Sequence, residues 1–133
     1  SINKVILLGY TGKDPEVKDV AGTKVANLSL ATTEKGYTLQ NGIQVPDRTE
    51  WHSLIFWKGL AEVVEKYVRK GSQIYIEGKI KTRQYEDRTG SKRYVTEIFV
   101  DKLELLGSRL AQQEASLQSK LYQPEQSRED LPF

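Results

Sequence analysis

Cysteine is absent and histidine occurs once, at His52. The first absence excludes disulfide stapling, thiolate catalysis and Cys-ligated zinc. The second leaves no multi-histidine metal site within one chain. No apolar run approaches the roughly 18 residues that a membrane helix needs, and no signal-peptide pattern opens the chain. Gly-rich phosphate loops, paired-carboxylate motifs and nucleophile elbows are missing as well. Charge of one sign is not in large excess: 20 basic residues stand against 18 acidic ones, for a net charge of +2. These absences point to a cytoplasmic protein that is not an enzyme, with no cofactor, no metal and no membrane partner.

What is present suits one domain with a short appendage. The chain has 133 residues, 38% of them hydrophobic and 29% charged, enough apolar content for one modest core and too much for disorder throughout. The charge is unevenly spread. Residues 79–93 hold six basic residues against Glu86 and Asp87, whereas residues 108–133 hold three basic against four acidic ones. A basic body with a slightly acidic tail hints at a nucleic-acid surface and an interacting tail.

Hydrophobic periodicity divides residues 1–107 into strands and one helix. Asn3–Leu8 is a β-rich run ending at Gly9, before the turn-prone Gly12-Lys13-Asp14-Pro15. Lys24–Thr33 alternates, with Ala26, Leu28 and Leu30 on one side. Glu34–Pro46 is polar and reads as a long exposed loop or loose hairpin. Thr49–Trp57 places Trp51, Ser53, Ile55 and Trp57 on one face and His52, Leu54 and Phe56 on the other. Leu60, Val63, Val64 and Tyr67 then recur at helical spacing, and Gly71 follows as a stop. Gln73–Tyr85 returns to period two, with Ile74, Ile76, Gly78, Ile80 and Thr82 facing inward. Asp87-Arg88-Thr89-Gly90 is a hairpin tip, and Arg93–Leu106 pairs back. Three strands, a helix and two strands predict an all-β fold, the five-stranded Greek-key barrel of the oligonucleotide-binding fold, its helix between strands three and four.

Two surface features suit single-stranded nucleic acid. The outward face of Gln73–Tyr85 carries Lys79, Lys81 and Arg83 between Tyr75 and Tyr85. Cations pair with phosphates, and aromatic rings stack on any base at about 1–3 kcal/mol each. A plain solvated face fits the same pattern equally well. Trp51 and Trp57 share the second outward face, as base platforms or as oligomer contacts. His52, on the Leu54 face, reads as a structural hydrogen-bonding group at a strand or subunit contact.

Beyond Gly107 the composition shifts to Gln, Ser and Glu. Residues 108–128 form a linker in which Leu110, Leu117 and Leu121 fall at helical spacing up to Pro124. Residues 129–133 (Glu129, Asp130, Leu131, Pro132 and Phe133) combine acids, an apolar pair and a terminal aromatic. Such a tip suits a basic-rimmed apolar pocket on a partner.

Several long motifs occurring in one order resemble the bacterial single-stranded DNA-binding protein family. They are Asn3-Lys4-Val5-Ile6-Leu7 with Gly12-Lys13-Asp14-Pro15, then Thr49-Glu50-Trp51-His52, and then Tyr67 through Gly78. Asp87-Arg88-Thr89-Gly90 with Thr96-Glu97 follows, and Asp130-Leu131-Pro132-Phe133 closes the series. The resemblance implies a homotetramer that binds single-stranded DNA without sequence preference, associated with the nucleoid. It further implies stacking positions at Trp51, Trp57 and Tyr85, with Tyr37 at or beside a fourth. It places His52 at a subunit interface and gives the C-terminal tip to DNA replication, recombination and repair proteins. The linker is shorter and the tip less acidic than the family pattern. Rival readings are another oligonucleotide-binding module, such as a primosome component or RNA binder, and a protein-interaction scaffold.

Overall fold

Alternating apolar side chains along four long strands dictate a closed sheet, because each strand has one face to bury and no second layer large enough to cover it. The computed structural model describes residues 1–106; the linker at 108–128 and the tip at 129–133 lie outside the described residues. The elements are β1 (Val5–Thr11), β2 (Glu16–Val20), β3 (Thr23–Glu34), β4 (Tyr37–Thr38), β5 (Gln44–Val45), β6 (Arg48–Trp57), α1 (Gly59–Tyr67), β7 (Gln73–Glu86) and β8 (Lys92–Leu106). Pairing runs β1–β7–β8–β6–β3, and a β1–β3 contact closes the ring of five. The β6–β8 pairing is parallel and the others are antiparallel. This is the expected five-stranded barrel, with α1 between its third and fourth strands. No helix among the described residues is long and apolar enough to cross a membrane.

The core follows the alternation. Ala26, Leu28 and Leu30 from β3, Leu54 and Phe56 from β6, Ile74 and Ile76 from β7, and Ile98 and Val100 from β8 meet inside. The helix lays Ala61 and Val64 on this cluster, and Val68 follows just past its end. Lys24 on β3 pairs with Glu65 on α1 at 2.6 Å, tying the helix to the barrel.

Three local features depart from the expected strand plan. Strand β1 does not end at Gly9 but continues to Thr11, switching partners from β7 to β3. A Cβ at Gly9 would stand 2.1 Å from the Ala31 carbonyl oxygen, so only glycine lets β1 pass close enough to close the ring. Strand β2 was not expected. Its sequence Glu-Val-Lys-Asp-Val has little apolar content, and it forms by pairing with the outer edge of β3. Residues 34–46 hold the short β4–β5 hairpin, closed by the Gly36 amide donating to Asp47 Oδ1 at 2.7 Å.

The largest correction concerns Ile80 and Thr82, which were expected to face inward. Ile80 is 47% exposed, and every residue from Lys79 to Glu86 is exposed. Strand β7 leaves the barrel beyond Gly78, although β8 stays buried at Ile98 and Glu97 opposite Ile80 and Lys81, and from Thr82 and Thr96 outward the two strands continue as an arm in which no residue is buried. A bulge marks the departure: Glu77 pairs with Lys102 but Gly78 pairs with Val100, leaving Asp101 as the extra residue. Asn3 secures the base of the arm, its side-chain amide exchanging two 2.9 Å hydrogen bonds with the backbone of Ile80.

Candidate nucleic-acid interface

The outward side of β6 runs along the middle of an open face. Register sets its neighbours: Trp57 lies opposite Val25 of β3, and Ile55 lies between Asn27 of β3 and Phe99 of β8. Phe99 in turn lies opposite Lys79 of β7. One row across the sheet therefore reads Asn27, Ile55, Phe99, Lys79. A groove of about 400 Å³ opens over this row, with Trp57 on one side and Ser53 and Glu97 on the other, reached by Lys18 from β2 and by Arg83 from the arm.

The aromatic groups lie along this face and the arm. Trp57 is 39% exposed, and its ring lies 6.5 Å from that of Phe99 at 29°. Trp51 is 58% exposed at the other end of β6, six residues and about 20 Å away along the strand. Its indole rests on Gly12, where a Cβ would come within 2.5 Å of the ring. Only glycine there leaves the indole room to lie flat. Tyr85 is exposed near the end of the arm.

Cations are interleaved with these rings. The Lys81 ammonium stands 4.5 Å above the Phe99 ring. The Arg83 guanidinium lies 5.9 Å from the Tyr85 ring centre, and its Nε donates to Glu97 Oε1 at 2.9 Å. Glu97 is buried, an unusual place for a carboxylate, and Arg83 is its ion partner. The hydrogen bond to Glu97 raises the already high pKa of Arg83 further. At the tip of the arm the Asp87 carboxylate accepts from Thr89, from the Ser91 amide and from Arg93 Nε. These bonds lower its pKa to about 2, so the turn is locked at any ordinary pH.

The structure therefore brings together Trp57, Lys79, Lys81, Arg83 and Tyr85 on one side of β6, β8 and the arm, with Trp51 farther along the same face of β6. It sets three candidates apart. Tyr37 is exposed on the separate β4–β5 hairpin. Tyr75 lies about 13 Å back along β7 from Lys79, between Leu8 of β1 and Glu104 of β8. Its hydroxyl donates to Glu77, which also pairs with Lys4 at 3.2 Å. That bond raises the Tyr75 pKa and lowers that of Glu77. His52 is half-buried in the middle of β6, 2.8 Å from the Thr32 hydroxyl. Among the described residues no three His, Asp or Glu side chains converge as a metal site would require.

Three members of the face were not singled out from sequence: Phe99, Glu97 and Gly12. Phe99 shares the alternation of Glu97 on β8, which was a usable signal. Its place beside Trp57 depends on the parallel β6–β8 pairing, which no local pattern reveals.

A barrel of this topology with an aromatic and basic face can be compared with known proteins. The model of the single-strand binding protein family matches residues 2–106. A single-stranded DNA-binding protein of Bacteroides thetaiotaomicron is 56% identical over 110 residues, covering 82% of this chain and 68% of the relative. The solved structure of Plasmodium falciparum SSB in complex with ssDNA matches with a TM-score of 0.72 and 31% identity, over 80% of this chain and 97% of that one. The family match spans the entire described barrel, and the chain belongs to the single-strand binding protein family.

Proposed function

We propose that this chain binds single-stranded DNA without sequence preference, protecting it during replication, recombination and repair, and that it carries out no chemistry of its own. The observation that carries the reading is the open face holding Trp57, Phe99 and Trp51 beside Lys79 and Lys81. Exposed rings accept any unpaired base, and lysines on flexible stems follow the phosphates. Bases locked in a duplex offer their faces only to one another, so the same surface has little to grip there. Both tryptophans report directly: oligo-dT should quench their fluorescence to saturation. A scaffold that uses these rings for protein contacts would leave the emission unchanged.

The opposite side of the barrel favours assembly into a homotetramer. Ile6, Leu8 and Tyr10 on β1 are each more than half exposed, and they alternate along one strand. Such a stripe is unfavourable in water unless covered. Strand β1 pairs with β3 at Tyr10 and Thr11, so among the described residues its stretch from Val5 to Leu8 has no partner strand on that edge beside the stripe. Tyr75 and the Glu77–Lys4 pair flank the stripe, which suits an interface role for Tyr75 better than a base platform. His52 would sit at a subunit contact in the same assembly. Mass measurement of Leu8→Glu against the parent chain tests this: a monomer is expected from the variant and a tetramer from the parent.

The tip at Glu129–Phe133 is the proposed recruiter of replication and repair proteins, and the assembly would act in the cytoplasm on the nucleoid. Burial of Phe133 could contribute about 1.5–3 kcal/mol, and capture of its carboxylate by a cation a similar amount. That suits exchangeable binding of roughly micromolar order. Deleting Glu129–Phe133 should leave oligo-dT affinity unchanged or slightly higher while abolishing capture of partner proteins on DNA-bound protein. Equal capture with and without the tip would remove its role.

A further inference from the structure

The groove contains a feature that works against its proposed ligand. Glu97 is a carboxylate, its side chain only 9% exposed, set in a surface meant to receive a polyanion. Only Arg83 forms an ion pair with it among the described residues, and that side chain is 61% exposed. Glu97 stands directly opposite Lys81, yet Arg83 reaches across the diagonal to it. The second guanidinium nitrogen, Nη2, points to the other carboxylate oxygen at 3.4 Å. One edge of the guanidinium is therefore held, the plane is fixed, and the flat group lies next to the Tyr85 ring at 5.9 Å. A paired Arg and Glu carry no net charge toward a distant phosphate, whereas a fixed guanidinium plane is a good surface for a base.

We infer that Glu97 is a positioning residue that neutralises Arg83 and presents its guanidinium, held over the Tyr85 ring, as a planar base platform, leaving the phosphate contacts to Lys79 and Lys81. The inference rests on the groove being the path of single-stranded DNA. It divides the basic row of the arm into two kinds of residue. Lys79 and Lys81 act through charge and Arg83 acts through shape. A lysine at position 83 would keep the charge and the ion pair with Glu97 but lose the plane.

The test is the salt dependence of oligo-dT affinity, measured by tryptophan quenching on the full chain and on the variants Glu97→Gln, Arg83→Lys and the double variant Arg83→Ala with Glu97→Gln, which removes the pair together and leaves no unpaired carboxylate in the groove. Each phosphate contact contributes about 0.7 to the slope of log affinity against log salt. Glu97→Gln keeps the shape of the side chain but frees one positive charge, so its slope should steepen by about 0.7. Arg83→Lys and the double variant should bind about tenfold more weakly at every salt concentration, with the slope of the parent chain. A purely structural role for Glu97 would not steepen the slope. An unchanged slope for Glu97→Gln overturns the inference, as does a slope about 0.7 shallower for the double variant. Should Glu97→Gln fail to fold, Arg83→Lys decides by itself: about tenfold weaker binding at the parent slope supports the inference, and parent affinity overturns it. Absence of quenching in the parent chain would instead remove the DNA reading on which all of this depends.

Discussion

The two halves of β7 differ more from each other than most pairs of separate strands do. From Gln73 to Gly78 every second side chain is buried, with Ile74 and Ile76 wholly enclosed between β1 and β8. From Lys79 to Glu86 nothing is buried, and among the described residues β8 is the only paired neighbour. The first half holds the barrel together and has nothing free to offer a ligand. The second half contributes little apolar burial, so its side chains are free to be selected for binding. One continuous strand joins them, so the arm is aimed by the barrel without being part of its core. Stability and recognition are divided along one strand at the bulge beside Gly78.

Truncating matched isoleucines on either side of the bulge tests this division most severely. Ile76→Ala removes a fully buried side chain and should cost about 2–5 kcal/mol. Ile80→Ala removes an exposed one and should stay within about 0.5 kcal/mol. Urea denaturation followed by far-UV circular dichroism measures both, and similar losses would mean that the arm packs as tightly as the barrel.

A smaller effect is expected at the ligand face. Trp57→Ala should weaken oligo-dT binding by about 1–3 kcal/mol and leave the unfolding midpoint nearly unchanged. Trp51→Ala should behave alike, although its indole also covers Gly12. If either variant unfolds while its folded fraction binds normally, these rings belong to the core and not to the ligand.

Lys79→Ala and Lys81→Ala come next. Each should flatten the salt slope by about 0.7 for every phosphate that no longer has a cationic partner, with modest weakening at low salt. A double variant with the parent slope would move the path of the phosphates off the arm.

The smallest effect concerns the tip of the arm. Asp87 has its pKa lowered from 3.8 to about 2 by Thr89, Arg93 and Ser91. A lowered carboxylate pKa stabilises the fold above the unfolded value and loses that stabilisation as the pH falls toward the folded value. The amide of Ser91 should therefore keep its hydrogen-exchange protection down to about pH 4 and lose it between about pH 4 and 2. Asp87→Asn should remove that transition without changing the barrel core. Persistence of the transition in the variant would assign it to another carboxylate.

The barrel was legible in sequence wherever one face of a strand is buried along its length. Ala26, Leu28 and Leu30, and Leu54 with Phe56, alternate in the chain because they alternate in the core. Legibility failed where local composition does not decide the outcome. Strand β2 exists because the edge of β3 needed a partner, not because Glu-Val-Lys-Asp-Val favours a strand. Gly9 reads as a terminator, yet it is the position that lets β1 continue past Ala31. Ile80 continues the inward alternation of β7, but the barrel ends before it does. On the ligand face, exposure of Trp51 and Trp57 followed from the register of Leu54 and Phe56 within their own strand. The place of Phe99 depends on which strands lie side by side, and the β6–β8 pairing across more than forty residues leaves no local mark, whereas the Glu97–Arg83 pair, 14 residues apart in an expected hairpin, depends on the register of that hairpin.

Above all, the face around Trp57 is held to bind unpaired bases by stacking, with phosphate pairing in support. Affinity for oligo-dT is best compared with affinity for a hairpin duplex of the same nucleotide count, at one salt concentration, using tryptophan emission as the readout. The expected result is strong quenching and clear preference for the single strand, with the preference shrinking in Trp57→Ala. Equal affinity for both, or a preference unaffected by Trp57→Ala, would show that stacking on this face is not what holds the strand.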